Sequence, residues 1–209
     1  MYAIAETENL LLHGDHAYLP ASRAWRQLPS PPPAKPIDAR AALLWLQTRS
    51  GHGLRVPIGV VGPREDDAER DAIAEAVGDL LGACRLPLLC GGGAGVMAAA
   101  SRGAAKAGGL AIGLLPGREP EAANPYVSLV LASGIGEARN AIIATASHCL
   151  IVVGDSFGTL SEVAFARRLD KTVFAMPGAA DVAGLIRIEN GIADLASRLA
   201  ECLLGKPQG

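Results

Sequence analysis

Three glycine-containing loops carry the residues whose types and spacing could do chemistry. They read GGGAGVM from Gly91 to Met97, GIGEARN from Gly134 to Asn140, and GDSFGTLSE from Gly154 to Glu162. Glycines lack a Cβ atom, so backbone N–H groups there can approach an anion closely, and a helix that opens after such a loop adds unpaired N–H groups. The loops therefore predict a site for a phosphate-bearing small molecule.

Arg139 is the cation closest in sequence to these loops. It lies in the first turn of a predicted helix, where a positive charge opposes the helix dipole. This position indicates an anionic partner, either a bound phosphate or the carboxylate of Glu162. Two further interpretations stay open: a solvated arginine, and one paired with Glu137 or Asp155.

Glu162 has two interpretations of equal weight. Thr159-Leu160-Ser161-Glu162 fits a capping box, in which Thr159 and Glu162 satisfy each other's backbone donors. Alternatively, Glu162 faces the loops and contacts a sugar or acts in acid–base chemistry. Asp155 and Ser156 likewise either bind a ligand or form an Asx-type turn.

The first glycine loop also fits the dinucleotide-binding pattern GxGxxA through Gly93, Gly95 and Ala98. However, it follows the second predicted strand, and the next strand ends in Leu115-Pro116-Gly117-Arg118, without the acidic residue that binds a ribose. Phosphate binding is therefore favoured over a purely structural turn and over a nicotinamide or flavin dinucleotide. Arg64 and Glu65, after the first strand, are candidates for the edge of the same site.

Alternating apolar runs and helical patterns place these loops at one edge of a sheet. Helices separate the strands, which predicts right-handed crossovers and an α/β fold with a parallel sheet covered by helices on both faces. Ligands bind such sheets at the carboxyl ends of the strands, where every one of these loops begins. The predicted strands are 58–62, 86–90, 110–115, 127–131, 149–153 and 172–176. Helices lie between them, except that an irregular segment with Pro116, Pro120 and Pro125 joins 110–115 to 127–131. A helix opens at Thr159, and further helical segments are predicted at 180–188 and 192–204.

The chain before this pattern predicts a small appendage. Residues 1–37 contain three short strand candidates, Tyr2–Ala5, Leu10–His13 and His16–Leu19, followed by the proline-rich segment Pro29–Pro36, which reads as an extended tether. Asp38 is placed to cap a helix that runs to Arg49. We therefore predict an appendage at 1–37 and a nucleotide-binding domain at 38–209.

Composition excludes several classes of function. A net charge of −2 without a Lys/Arg cluster argues against nucleic-acid and membrane partners. Four cysteines without CxxC spacing predict buried reduced thiols rather than a metal or redox site. With no signal segment and no long apolar run, we expect a soluble, cytoplasmic protein. The patterns of serine hydrolases, zinc proteases and Walker-type ATPases are absent from the sequence.

Together, the three loops resemble the LONELY GUY (LOG) family and, within its superfamily, the branch of molybdenum-cofactor carrier proteins. The resemblance covers about residues 56–177. The LOG enzymes have the signature PGGxGTxxE and an arginine one helix upstream, which Arg139 matches. Gly158, Thr159 and Glu162 match the GTxxE part. The residues that match the first glycine motif are Gly91, Gly92, Gly93, Gly95 and Met97. The resemblance implies a Rossmann-like fold and a homodimer or higher homo-oligomer.

Three departures from the LOG signature concern the same loops. Gly154-Asp155-Ser156 stands where the enzymes have Pro-Gly-Gly, the first glycine motif is one residue shorter, and Asn140 replaces the lysine that commonly follows the arginine. These differences affect hydrolysis more than binding.

The preferred function is binding of a phosphorylated, nucleotide-like small molecule, a nucleoside monophosphate or a molybdopterin-type compound, by a carrier or sensor that requires no cofactor. The phosphate would lie on the Gly91–Gly95 and Gly154–Thr159 loops, with Arg139 as counter-charge. Glu162 would contact the sugar or heterocycle. Met97, Asn140, Asp155 and Ser156 complete the predicted binding residues.

Two alternative functions stay open. The first, implied by the resemblance, is a nucleoside 5′-monophosphate phosphoribohydrolase, which splits the N-glycosidic bond with Glu162 and Arg139 as catalytic residues. The second is a relative of the fold that handles single-stranded DNA, against which the lack of a basic surface argues.

Overall fold

The computed structural model describes residues 1–207, which form two compact units. One unit contains Met1–Leu54 and the chain from Ala193 onward, and the other contains Arg55–Ile192. The predicted division into an appendage at 1–37 and a nucleotide-binding domain at 38–209 stays a prediction. The first segment of the N-terminal compact unit extends to Leu54 and so includes the helix that follows residue 37.

The N-terminal unit is built on a five-stranded antiparallel sheet with the order β4-β3-β2-β1-β5. The three predicted strands are present, and two more accompany them. The elements of this unit are β1 (Tyr2–Ala5), β2 (Leu10–His13), β3 (His16–Leu19), β4 (Ala24–Gln27), β5 (Lys35–Ile37) and α1 (Ala39–Thr48).

The end of the predicted proline-rich tether is in fact β5. Pro36 lies opposite Ala3 of β1, at the edge of the sheet, where a residue without an N–H group is tolerated. After it, Asp38 caps α1 as predicted, accepting a hydrogen bond from the Ala41 N–H at 2.8 Å. Trp45 of α1 donates its indole N–H to Asn9, which ties the helix to the β1–β2 turn.

The central unit is a seven-stranded sheet in which every pair of neighbouring strands is parallel, as the sequence predicts. The strand order is β12-β11-β10-β6-β7-β8-β9. The strands are β6 (Ile58–Val61), β7 (Leu88–Cys90), β8 (Ala111–Leu115), β9 (Leu129–Ala132), β10 (Leu150–Val152), β11 (Val173–Ala175) and β12 (Ile186–Arg187).

Helices cover both faces of this sheet. They are α2 (Ala68–Ala83), α3 (Val96–Lys106), α4 (Arg139–Ala146) and α5 (Phe157–Arg168). The last helix, α6 (Gly191–Leu204), belongs from Ala193 onward to the N-terminal unit. From the centre the chain moves toward β9 through α2 and α3, and from β10 toward β12 through α5. Right-handed crossovers therefore place α2 and α3 on one face and α4 and α5 on the other.

The strand order reverses between the neighbouring strands β6 and β10. The helices that follow these two strands, α2 and α5, cover opposite faces of the sheet. Such a switch point opens a crevice at the carboxyl ends of the two strands. A buried cluster that includes Val61, Val152 and Ile143 supports the crevice from below.

Helices α2 and α3 pack unusually close together. A Cβ atom at Gly78 would lie 1.9 Å from the carbonyl oxygen of Ala100, and one at Gly103 would lie 2.0 Å from that of Glu75. Neither position has room for a side chain, so these glycines set the distance between the helices. The position of the first turn of α3 is fixed accordingly.

The predicted helical segment at 180–188 is wrong. A loop and the short strand β12 occupy this stretch, with Gly184 at a φ of +80°. The Arg187 side chain donates hydrogen bonds to the carbonyl oxygens of Ala179 and Ala180 and pairs with Asp181. The side chain thus binds carbonyl groups that a helix would have used internally.

No helix within residues 1–207 is long and apolar enough to cross a membrane. Cys84, Cys90 and Cys149 are buried and Cys202 is half-buried, and none of the four is in a disulfide bond among the residues that the structure describes. In the same part of the chain, no group of three His, Cys, Asp or Glu side chains is arranged to hold a metal ion.

Candidate functional site

A cavity of about 450 Å³ lies at the switch point, at the carboxyl ends of β6, β7, β8 and β10. It receives residues from each of the loops that the sequence analysis selected. Its lining comprises Val61, Gly62, Arg64, Glu65, Gly91, Gly93, Met97, Leu115, Pro116, Gly117, Ala122, Glu137, Arg139, Asn140, Ser156, Gly158, Thr159 and Glu162. The predicted meeting of separate loops at one edge of the sheet is therefore present.

Ser156 is the residue that starts α5. Its Oγ atom accepts a hydrogen bond from the Thr159 N–H at 3.1 Å and lies 2.8 Å from the Thr159 hydroxyl. The helix thus begins at Phe157, two residues before the predicted start at Thr159. The N–H groups of Phe157 and Gly158 have no carbonyl one turn back to bind, so they are open to an anion.

The capping-box interpretation of Thr159 and Glu162 is therefore wrong. The N-cap lies three residues earlier, and the cap position is satisfied without a glutamate. Glu162 instead belongs to the second turn of the helix, and its side chain reaches the cavity. This leaves the interpretation in which Glu162 faces the loops.

Arg139 and Glu162 form a buried ion pair. Arg139 Nη1 lies 3.1 Å from Glu162 Oε1, and the side chains are only 10% and 7% exposed. Of the partners considered for Arg139 within the protein, Glu162 is the one it contacts. Burial raises the pKa of Glu162 to about 7, and the nearby charge of Glu137 adds to the rise, while Arg139 opposes it.

Asn140 continues the polar network. Arg139 Nη1 also donates to Asn140 Oδ1, and the Asn140 amide donates to Ser161 Oγ at 2.8 Å. Ser161 in turn donates to the carbonyl oxygen of Gly158 at 2.7 Å. The network joins the first turn of α4 to the first turn of α5. It therefore fixes Arg139 relative to the open N–H groups of α5.

Arg139 Nε is buried and has no hydrogen-bond partner among residues 1–207. A buried donor without a partner costs free energy comparable to a lost hydrogen bond. Arg139 Nε therefore carries a cost that the folded chain does not offset.

Gly91 allows the guanidinium to lie against the first glycine loop. A Cβ atom there would be 2.6 Å from Arg139 Nη2 and 2.8 Å from Met97 Sδ. Gly158 is different, because the nearest atom to a Cβ at that position is Ser156 Oγ at 3.7 Å, an ordinary contact. The protein itself therefore has room for a side chain at Gly158.

Asn124 is a site residue that the sequence analysis missed. Its backbone N–H donates to the carbonyl oxygen of Gly92 at 2.8 Å, and its side-chain amide donates to that of Gly93 at 2.9 Å. It lies in the irregular segment after β8, which carries no periodic pattern. Asn124 holds the first glycine loop without itself lining the cavity.

Other lining residues were also not selected from the sequence as ligand contacts. Most of them directly follow a strand or precede a helix at the carboxyl-terminal edge of the parallel sheet, and this position is the one feature of the sequence that could have indicated them. They are Val61, Gly62, Leu115, Pro116, Gly117, Ala122 and Glu137. Arg64 and Glu65, the two edge candidates, do line the cavity.

Four predicted binding residues do not line the cavity: Gly92, Gly95, Gly154 and Asp155. The three glycines have positive φ angles and shape the loops, and a Cβ at Gly95 would lie 2.7 Å from the Pro63 carbonyl oxygen. Asp155 is exposed. Arg139, Glu162 and the other predicted residues lie together in the lining: Gly91, Gly93, Met97, Asn140, Ser156, Gly158 and Thr159.

Comparisons with known proteins point in one direction. A sequence model described as the SLOG cluster4 family matches residues 55–198. An uncharacterized protein of Archaeoglobus fulgidus is 40% identical over 119 residues, which is 57% of this chain and 78% of the relative.

Solved structures give the same picture. The molybdenum cofactor carrier protein of Chlamydomonas reinhardtii is 33% identical, with a TM-score of 0.65 over 73% of this chain and 100% of the other. The molybdenum cofactor binding protein of Rippkaea orientalis is 34% identical, with a TM-score of 0.58 over 73% and 86%. DNA processing protein A of Streptococcus pneumoniae is 22% identical, with a TM-score of 0.55 over 68% and 61%, a likeness of fold alone.

Proposed function

Because the chain belongs to the SLOG cluster4 family, we propose that it binds a phosphorylated, nucleotide-like small molecule and serves as its carrier or sensor. The ligand class is a nucleoside monophosphate or a molybdopterin-type compound. The resemblance to LOG-like proteins near the molybdenum-cofactor carriers agrees with both the family and the solved neighbours.

One observation carries the proposal: three independent anion-binding features line a single cavity. The first turn of α5 presents the open N–H groups of Phe157 and Gly158, and the first glycine loop approaches from β7. Arg139 lines the same cavity, with Nη2 against the first glycine loop and Nη1 on Glu162. Helix N-termini and guanidinium groups both favour phosphate, and their convergence exceeds what helix capping requires.

The cavity also has the size of a small-molecule site. Its volume of about 450 Å³ falls within the range of pockets that enclose one ligand. The phosphate would lie at the first turn of α5 and the Gly91–Gly93 loop. The sugar or heterocycle would then extend toward Glu162 and the aliphatic wall made by Val61, Met97 and Leu115.

A second function, hydrolysis of a nucleoside 5′-monophosphate, is favoured by one observation. Glu162 is a buried cavity carboxyl with a pKa of about 7, which suits proton transfer near neutral pH. In that reaction Glu162 would position a water molecule or stabilise an oxocarbenium-like sugar, and Arg139 would hold the substrate. The products would be a free base and ribose 5-phosphate.

The proposed partners are a small molecule and a second copy of the chain, and do not include nucleic acid. The cavity lining contains two arginines and three glutamates, Arg64 and Arg139 against Glu65, Glu137 and Glu162. This lining lacks the excess of positive charge that binds a phosphate backbone. Absence of any gel shift with single-stranded DNA at low salt is the expected result.

Native mass spectrometry of gently purified protein, combined with thermal unfolding, tests the proposal. A co-purified phosphate-bearing ligand, or a rise in Tm with AMP, GMP or a pterin phosphate, is expected, since a ligand at 100 times its Kd adds about 2.7 kcal/mol. A chain that carries nothing and is stabilised by none of these compounds contradicts the proposal. Release of free base from AMP or GMP would assign hydrolysis, and Glu162→Gln should abolish that release while binding persists.

A further inference from the structure

We propose that Arg64 binds the phosphate group of the molecule held in this cavity, whereas Arg139 chiefly holds Glu162. Arg64 is then the residue that makes the site select a phosphorylated compound. This inference rests on the proposed function of the cavity and deepens it, since it moves the main counter-charge of the phosphate from Arg139 to a different side chain.

Arg64 lies in the loop that follows β6, and it lines the cavity. Its side chain reaches the first glycine loop, because a Cβ atom built on Gly93 would lie 3.9 Å from Arg64 Nε. Arg139 contacts the same loop at Gly91, where a Cβ atom would lie 2.6 Å from Nη2. The two guanidinium groups thus approach one glycine loop at different residues.

The charge of Arg64 has no partner within residues 1–207. Its exposed side chain makes no hydrogen bond and no ion pair there, not even with Glu65, the next residue of the lining. Arg139 differs, because its Nη1 is bound to Glu162 and Asn140 in a buried network. These two arginines are the cations among the described lining residues. Since guanidinium groups bind phosphate through charge-assisted hydrogen bonds, the unpaired one has the donors to do so.

The backbone that carries Arg64 is packed against both loops proposed to bind the phosphate. The Pro63 carbonyl oxygen accepts a hydrogen bond at 3.1 Å from the N–H of Val96, the first residue of α3. On the other side, a Cβ atom at Gly62 would lie 2.3 Å from the carbonyl oxygen of Val153, just before the loop that leads to α5. The base of the side chain is therefore fixed between the two loops, so less conformational freedom is lost when an anion binds.

Arg118 is a matched control at the same edge of the sheet. It follows the end of β8 by three residues, as Arg64 follows the end of β6. Arg118 is exposed, does not line the cavity and packs against Gly134, where a Cβ atom would lie 2.9 Å from its Cγ. Its replacement by glutamine removes the same charge from the same edge. It therefore separates direct contact with a phosphate from the general electrostatic field of the protein.

Calorimetric titration of AMP, GMP and ribose 5-phosphate into the wild type, Arg64→Gln, Arg64→Lys and Arg118→Gln tests the inference. Arg64→Gln should weaken all three compounds about 10- to 100-fold, the factor expected for loss of a hydrogen bond to a charged group. Arg64→Lys should recover part of the affinity, because lysine supplies the charge without the planar fork. Arg118→Gln should bind like the wild type. Added NaCl should weaken binding to the wild type more than binding to Arg64→Gln.

The failures are distinguishable. If the wild type binds none of the three probes, the proposed function fails and the role of Arg64 fails with it. If the wild type binds them and Arg64→Gln binds them equally well, or Arg118→Gln is weakened to the same extent, the role of Arg64 alone is overturned. It is also overturned if Arg64→Gln loses affinity but keeps the salt dependence of the wild type, since the residue would then shape the cavity without binding the charge.

Discussion

Arg139 Nη1 and Glu162 Oε1 lie 3.1 Å apart beneath the cavity, and neither side chain has substantial access to water. Burial nevertheless outweighs the attraction of the arginine, so the pKa of Glu162 is raised to about 7. The pair is therefore not permanently ionised at neutral pH. Its protonation state is coupled both to folding and to any anion that enters the site.

Stability should depend on pH through Glu162. Between about pH 4.5 and 7 the folded protein binds this proton more tightly than the unfolded chain, so the free energy of unfolding decreases as pH rises through that window. Glu162→Gln removes the titrating group. Urea unfolding measures the difference in the free energy of unfolding between wild type and variant. We expect this difference, the gap between the two proteins, to change by roughly 1–3 kcal/mol across the window. A gap that does not change with pH would contradict the raised pKa.

Removal of the cation should make this dependence steeper. In Arg139→Met the Glu162 carboxylate has lost the charge that lowers its pKa, so that pKa should rise further. The substitution should then lower the free energy of unfolding only slightly at pH 5, where Glu162 is protonated. Above pH 7 the loss should increase toward the few kcal/mol typical of a broken buried ion pair. Chemical denaturation at pH 5 and pH 8 measures this. Equal destabilisation at both values would count against it.

Anion binding should be accompanied by proton uptake. A phosphate in the same cavity as Glu162 disfavours the charged form of this carboxyl, so the affinity for a nucleotide should decrease as pH rises through 7. Calorimetric titrations in two buffers of different ionisation enthalpy measure the protons taken up. Glu162→Gln is the control, and its proton uptake should be smaller. An identical uptake in the variant would assign the proton to another group.

Gly158→Ala should separate folding from binding. The position has room for a Cβ atom and an ordinary φ angle, so alanine should stabilise the free protein by about 0.5–1 kcal/mol. The same methyl group would occupy space beside the open N–H groups and weaken a phosphate ligand. Thermal unfolding and ligand titration of one variant measure both effects.

Gly78→Ala is the matched control, because its methyl group would meet the Ala100 carbonyl oxygen at 1.9 Å. That variant should lose stability, in contrast to Gly158→Ala. If Gly158→Ala also destabilises the free protein, the glycine serves the fold rather than a ligand.

Asn124→Ala should loosen the first glycine loop. The change removes the side-chain hydrogen bond to the Gly93 carbonyl oxygen and should cost about 1–3 kcal/mol if that carbonyl is left unsatisfied. Ligand affinity should decrease although Asn124 does not line the cavity. Hydrogen exchange at residues 91–95 checks whether the loop opens more often. Unchanged exchange together with unchanged affinity would remove Asn124 from the site.

Local patterns were sufficient to predict six of the seven strands of the parallel sheet and the edge at which the cavity lies. Continuous apolar runs such as 149–153 specify buried parallel strands, and glycine loops at strand ends specify where a ligand can approach. The start of α5 was misplaced because Ser156 and Thr159 are both good caps, and only the backbone geometry selects Ser156.

The remaining errors have a common physical origin. Asn124 donates a hydrogen bond to a glycine about thirty residues earlier in the chain, and Arg187 donates to a carbonyl oxygen of the preceding loop. Pro36 lies in β5, one edge strand of the antiparallel sheet, and the other edge strand is β4, near residue 25. Such contacts depend on tertiary structure, so no local periodicity reveals them.

The close contact between α2 and α3 has a mechanical consequence for the site. A methyl group at Gly78 or at Gly103 would meet a backbone carbonyl group of the other helix, so α3 keeps its distance from α2 only while both residues are glycine. A side chain at either position would push α3 away from α2, and with it the glycine loop that opens α3 and contributes to the cavity.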